Sequence, residues 1–165
     1  MVSLELVTPQ NALVFKDARL YALRDALSAF SATYTDECRL SDEEWISRAA
    51  QWSGAKSTAY LALDHGAACG IVGGFLDPQE AIRAQLVSMW VAPSHRRLGV
   101  GSQLVNAIAD WARAEGAGLL RLVVTSNNHR AIQFYQRLGF AITAKIGPYR
   151  NDPLLDDFEM IRALS

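Results

Sequence analysis

The chain is 165 residues long, half of them apolar and a fifth charged, with a formal net charge of −1 and a mean hydropathy of +0.05. That is one domain's length of ordinary globular composition, which excludes disordered and collagen-like classes and removes any need for disulfide staples. The charge balance supplies no overall field for nucleic acid, and no run approaches the ~20 apolar residues of a membrane span, so neither partner is expected.

Residues Met1 to Val7 have neither the basic region nor the uninterrupted apolar stretch of a secretory leader, and Cys38 and Cys69 show no pairing or metal spacing, so a cytoplasmic location with reduced thiols is expected. Leu4 to Thr8 reads as a short strand closed by Pro9. Leu20, Leu23, Leu27 and Phe30 recur at helical spacing and mark the first helix. Ser41-Asp42-Glu43-Glu44 is a capping box, with Ser41 as N-cap and Glu44 three residues on, opening a helix through Trp45 toward Trp52. Thr58 to Leu63 and Ala67 to Leu76 form a strand pair around the turn Asp64-His65-Gly66.

Ala84 to Val91 continues the sheet and ends before Pro93. Leu104, Val105, Ile108 and Ala112 share one face of a helix that stops near Gly116 and Gly118. Leu119 to Val124 is short and rich in branched residues, the pattern of a buried central strand. A helix over 128–138 turns Ala131, Ile132, Phe134, Tyr135 and Leu138 inward, with Gly139 as its left-handed cap. Phe140, Ile142, Ala144 and Ile146 then alternate as a half-buried strand, and Leu154 to Ala163 is the last strand. Strand and helix alternate without a repeat or a dividing linker, so residues 1–165 read as a single α/β domain.

The stretch Arg96-Arg97-Leu98-Gly99-Val100-Gly101 lies between an apolar strand and an amphipathic helix. Glycines there let the main chain approach an anion, and the following helix start offers unpaired N–H groups and the positive end of its dipole. Alone, such a turn also serves as plain strand-to-helix punctuation. It is no Walker loop, since Ser102 and Gln103 follow Gly101 where lysine is required, and no dinucleotide fingerprint, since position 104 is Leu. A second segment decides the reading: Asn128-His129-Arg130-Ala131-Ile132-Gln133-Phe134-Tyr135-Gln136-Arg137-Leu138-Gly139-Phe140, or N-x-x-A-x-x-x-Y-x-x-x-G-F.

The two motifs, in this order and spacing, resemble the GNAT superfamily of acetyl-CoA-dependent N-acetyltransferases. The resemblance runs from about residue 58 to the end and holds only in outline before that. It implies a mixed central sheet of about seven strands flanked by about four helices. It also implies acetyl-CoA as co-substrate and acetyl transfer directly to a primary amine of a protein or a small molecule; no pair of histidines or cysteines has metal spacing, so no metal is expected. The cofactor-facing positions it implies are Met89, Trp90, Val91, Arg96, Arg97, Leu98, Gly99, Val100, Gly101, Ser102, Asn128, Ala131, Phe134, Tyr135 and Arg137. Within that set the main-chain N–H of Met89 is the implied oxyanion donor, on a strand expected to diverge from its neighbour. Tyr135 is the implied general acid toward the departing thiolate; outside this frame it would read as a core tyrosine.

Some members of the superfamily carry a glutamate on the strand before the phosphate loop, but Gln85 to Trp90 contain no carboxylate. An amine of pKa near 10.4 needs about 4.6 kcal/mol to lose its proton at pH 7, against about 1 for an α-amine, so the missing base favours a low-pKa amine or a water relay. Asp36, Glu37, Asp77, Glu80, Asp152, Asp156 and Asp157 are the remaining carboxylates of interest, as base or as attractants for a cationic acceptor. His65, His95 and His129 read as surface residues, His95 being the one near the loop. Homodimerisation is common in the superfamily. The alternative class is a non-catalytic acyl-CoA sensor that keeps the cradle without the chemistry.

Overall fold

The computed structural model describes residues 1–25, 33–149 and 152–164. Seven strands, β1 (Val2–Leu6), β2 (Ser57–Asp64), β3 (Ala67–Leu76), β4 (Arg83–Val91), β5 (Leu119–Thr125), β6 (Ala141–Tyr149) and β7 (Asp152–Ala163), form one sheet in the order β1-β2-β3-β4-β5-β7-β6. Every neighbouring pair is antiparallel except β4 with β5. A parallel pair needs a long crossover, and α4 (Val100–Ala114) supplies it. The other helices among the described residues are α1 (Ala12–Asp25), α2 (Tyr34–Glu37), α3 (Asp42–Trp52) and α5 (His129–Arg137), so a single-turn α2 joins the four expected.

Glycines in β3 set how closely helices approach the sheet. A Cβ at Gly70 would lie 2.9 Å from Leu104 Cδ1 and one at Gly74 2.9 Å from Ile108 Cγ2, so α4 packs directly on backbone there. On the opposite face a Cβ at Gly73 would meet Trp52 Cη2 at 2.9 Å, which seats α3. The core lies in these two layers, with Leu104, Ile108, Leu120, Leu122 and Met160 on one side and Leu23, Trp45 and Leu61 among the other fully buried side chains.

The local signals hold at the helix starts and turns. Ser41 Oγ accepts from the Glu44 N–H at 3.2 Å and Glu44 returns a carboxylate to the Ser41 N–H at 3.1 Å, the reciprocal pair that the capping box predicts. His65 and Gly66 both have positive φ, 51° and 81°, the backbone of a two-residue hairpin turn that matches strand twist. The first strand ends two residues early, because Pro9 opens a short 3₁₀ turn capped by Thr8, with Asn11 Oδ1 accepting from the Thr8 N–H at 2.8 Å. The first helix begins earlier than leucine spacing suggests, since Ala12, Phe15, Ala18, Ala22 and Leu23 make its buried face. Leu27 and Phe30, expected on that helix, lie outside the described residues. On α5, Ile132 and Tyr135 are buried while Ala131, Phe134 and Leu138 are half-buried.

The half-buried strand expected after Gly139 is a correction. Phe140 is buried, but Ile142 and Ile146 stand 44% and 48% exposed, because β6 is the outermost strand, beyond β7. Alternation there belongs to an edge strand, paired on one side only among the described residues.

Gly73→Ala is expected to destabilise the chain by about 1–3 kcal/mol through overpacking against Trp52. A lowered urea midpoint at unchanged slope reads it, and an unchanged midpoint would show that the α3 face is loosely packed.

Candidate active site

The site begins with a break in the sheet. β4 pairs with β5 only from Arg83↔Leu119 to Gln85↔Arg121, yet β4 runs on to Val91 and β5 to Thr125. Beyond Gln85 the two strands separate, and their facing main-chain groups lose the partners that a sheet supplies. The divergence expected around Met89 is therefore present.

Next to the gap, β4 carries an extra residue. Its register against β3 passes from Gly73↔Val87 to Ile71↔Trp90, so Ser88 and Met89 together stand opposite Val72. Ser88 has φ +57°, a left-handed conformation that costs a non-glycine residue about 1–2 kcal/mol. This bulge flips the alternation. Val87 lies against the Gly73–Trp52 contact on the α3 face, while Met89 Cε lies 3.3 Å from a Cβ position at Gly101, on the α4 face. Trp90 then turns to α1: its ring centroid is 4.9 Å from that of Tyr21, and its indole N–H donates to Asp25 Oδ2 at 2.9 Å.

The loop that follows keeps its donors free. Among the described residues, the backbone N–H groups of Arg97, Leu98, Gly99, Val100, Gly101 and Ser102 have no hydrogen-bond acceptor; the first α4 bond within the chain is Gln103 N–H to the Gly99 carbonyl, 3.1 Å. Gly99 is the N-cap at φ +85°, and Arg97 has φ +65°, so the turn alternates hand and aims successive N–H groups outward at the helix start. Gly101 also has a packing reason to be small. A Cβ there would meet Phe134 Cζ at 3.0 Å, so it admits α5 against α4 and joins Met89, Gly101 and Phe134 in one contact.

The arginines divide. Arg96, expected on the phosphates, is held by Asp25 Oδ2 at 2.6 Å and by the Val91 carbonyl at 3.0 Å, whereas Arg97, Arg130 and Arg137 are exposed and have no carboxylate partner among the described residues. Asn128 caps α5, its Oδ1 accepting from the Ala131 N–H at 3.3 Å, which leaves its amide N–H groups for another partner. Tyr135 is buried between Phe134 and Phe140, with centroids 5.1 and 5.6 Å away, and burial pushes its phenol well above the ordinary value. It is fully protonated at neutral pH.

Most carboxylates of interest are committed. Asp36 accepts from Thr33, Asp77 and Glu80 pair with Arg83, Asp156 pairs with Lys145 at 3.2 Å, and Glu37 is buried under Arg19 and Arg48. Asp157 has no ion pair among the described residues, and burial together with Asp156 raises its carboxyl above the ordinary value. It sits opposite Thr125 at the open end of β5, on the sheet face shared with Arg121 and Gln85.

A sequence profile of the acetyltransferase (GNAT) family matches residues 20–140. The chain belongs to the GNAT family. Streptothricin acetyltransferase of Streptomyces lavendulae is 48% identical over 59 residues, a segment that covers 36% of this chain and 31% of that enzyme. A GNAT acetyltransferase from Streptococcus pneumoniae superimposes over the full length of both chains with TM-score 0.84 at 23% identity. A Salmonella typhimurium protein solved with acetyl-CoA matches with TM-score 0.82 at 15% identity, over 100% of this chain and 95% of its own.

Sequence reasoning missed several residues around this GNAT site. Arg19, Tyr21 and Asp25 reach it from α1, and Ser88 holds the bulge, although nothing in their local pattern marks them; only the tertiary contacts do. His95 is also corrected. Rather than a free surface residue, its Nε2 is 2.8 Å from Asp64 Oδ2 and its Nδ1 2.8 Å from Ser94 Oγ, which straps the 93–95 turn to the β2–β3 hairpin. No helix among the described residues is long and apolar enough to cross a membrane, and no cluster of metal ligands occurs among them.

The His95 hydrogen bond, as the largest cause, holds the Asp64 carboxyl below its usual value. A carboxyl that titrates lower when folded stabilises the fold fully above its unfolded value, about 4, and loses that contribution as pH falls through the folded value. Asp64→Asn is expected to lower stability at pH 7 and to flatten the acid side of the stability profile, read by thermal melting from pH 3 to 7. A variant with the wild-type profile would show that the strap contributes nothing.

Proposed function

We propose that the chain transfers an acetyl group from acetyl-CoA directly to a primary amine. The observation that carries this reading is the run of N–H donors from Arg97 to Ser102, without an acceptor among the described residues, leading into α4 beside the gap between β4 and β5, in a chain of the GNAT family. The donor set fits a pyrophosphate: oriented amides and a helix dipole favour negative charge, and Arg97, Arg130 and Arg137 add cations without a lysine loop. Asn128 and the edges of β4 and β5 beyond Gln85 are assigned to the pantetheine arm.

When bound, acetyl-CoA supplies a thioester whose acyl carbon bonds the acceptor nitrogen as its C–S bond breaks. The Met89 N–H donates to the acyl oxygen as negative charge builds there; such a donor contributes about 10²–10³ in rate. The Tyr135 hydroxyl gives its proton to the sulfur in concert with C–S cleavage, because burial raises its phenol, and the second proton lost by the acetylated nitrogen restores it. Asp157 takes the proton leaving the acceptor ammonium, a role supported by its raised carboxyl and the lack of a cationic partner among the described residues. Phe134 and Phe140 keep water from Tyr135.

A thiol-release assay across amines of differing pKa, from α-amines to polyamines and lysine peptides, tests the activity. Turnover of one amine class is expected. Tyr135→Phe should lower kcat by about 10²-fold with acetyl-CoA affinity within a few-fold, and Asp157→Asn should lower kcat/KM where the wild-type carboxylate is ionised and change it least at low pH, where that carboxyl is already protonated. Unchanged turnover in Tyr135→Phe removes Tyr135 from the mechanism. Acetyl-CoA binding without turnover of any amine would favour the sensor reading.

A further inference from the structure

The bulge that carries Met89 is poorly supported by its own sheet. On the β5 side β4 has no partner beyond Gln85, and on the β3 side the extra residue interrupts the ladder at Ser88. A strained, left-handed serine in a strand with one broken edge needs an outside contact to stay in one conformation. The contact present is Arg19 of α1, whose Nη1 donates to Ser88 Oγ at 3.1 Å across 69 positions of sequence.

Arg19 is itself fixed from the far side. Its Nε donates to Glu37 Oε1 at 3.1 Å and its Nη2 to Glu37 Oε2 at 3.3 Å, a forked pair with both side chains more than four-fifths buried. Arg48 of α3 approaches the same carboxylate at 3.4 Å. The chain Arg48–Glu37–Arg19–Ser88 therefore ties α3, α2 and α1 to the one residue of β4 whose backbone sets the direction of the next amide. A surface ion pair would not need a buried carboxylate with two guanidinium partners. Lysine could not replace Arg19, because a single ammonium cannot hold both Glu37 oxygens and reach Ser88 as well.

We propose that Glu37 and Arg19 are positioning residues that clamp the Ser88 bulge and thereby aim the Met89 N–H at the acyl oxygen of bound acetyl-CoA. This inference rests on the acetyl-transfer reading above. It differs from a purely structural role in what it disturbs: the oxyanion donor moves, while the pyrophosphate cradle on α4 stays.

The chain has three methionines, Met1, Met89 and Met160, so selective ¹⁵N-methionine labelling resolves the Met89 amide, with Met89→Leu assigning it. In the wild-type chain the Met89 amide is expected to shift downfield with acetyl-CoA more than with CoA. Ser88→Ala, Ser88→Gly and Arg19→Lys should each remove most of that difference and lower kcat about tenfold with acetyl-CoA affinity near wild type; the Ser88 variants should also keep their melting temperature, while Arg19→Lys lowers it by loosening the buried Glu37 pair. Ser88→Gly covers the case in which alanine fails to fold, since glycine adopts this φ without strain. Because the residues act in series, Arg19→Lys combined with Ser88→Ala should lose little more kcat than either alone. A full Met89 shift retained in the single variants, or additive losses in the double variant, overturns the clamp while leaving the acetyl-transfer reading standing. If no methionine responds to acetyl-CoA in the wild-type chain, that reading fails and the clamp with it.

Discussion

The feature on which everything else depends is the short parallel pairing of β4 and β5. Three residue pairs hold the strands together, and then both continue apart. Burying unpaired main-chain groups is costly, so a gap of this kind persists only where the surroundings hold the two strands independently and the open edges have another partner to meet. The first condition is met, and the pantetheine arm is the partner proposed for the second. β5 is held by β7 along its whole length, and β4 by β3 on either side of the Ser88 bulge, where Arg19 supplies the contact that the ladder lacks.

The gap would be of little use without the helix that starts beside it. α4 is both the crossover that makes β4 and β5 parallel and the source of the free N–H groups, so one element produces the geometry and the electrostatics together. Its position is fixed from below by Leu104 and Ile108 resting on the glycines of β3, and from the side by Phe134 resting on Gly101. A rigid seat of this kind keeps the donors oriented before any anion arrives, which is what preorganised electrostatic stabilisation requires. The bulge at Ser88 completes the arrangement by turning Met89 toward α4 and Trp90 toward α1.

Much of this was legible in the sequence, and the reasons differ by element. The strands β2 to β5, the capping box at Ser41 and the helix starts at Gly99 and Asn128 are written in local chemistry, namely periodicity, cap residues and glycine, so they could be read without a structure. The two motifs marked the loop before α4 and the buried face of α5 for the same reason. What escaped is set by contacts between distant positions. Arg96 reads from its motif as a phosphate ligand, and no local pattern shows that its guanidinium also pairs with Asp25, 71 positions away. Ile142 and Ile146 alternate like a half-buried strand, but exposure depends on strand order, which places β6 outermost. The extra residue at Ser88 has no one-dimensional signature, because serine is unremarkable in a strand until its φ is known.

The central claim is that the unpartnered amides at the start of α4 hold the pyrophosphate of acetyl-CoA. Isothermal titration with acetyl-CoA and, in parallel, with S-acetylpantetheine, which keeps the thioester arm and lacks the pyrophosphate, tests it most directly. The account predicts saturable binding of acetyl-CoA, with S-acetylpantetheine weaker by about a hundredfold or more, that is by about 2.7 kcal/mol. Equal affinity for the two, or no binding of acetyl-CoA, would contradict it.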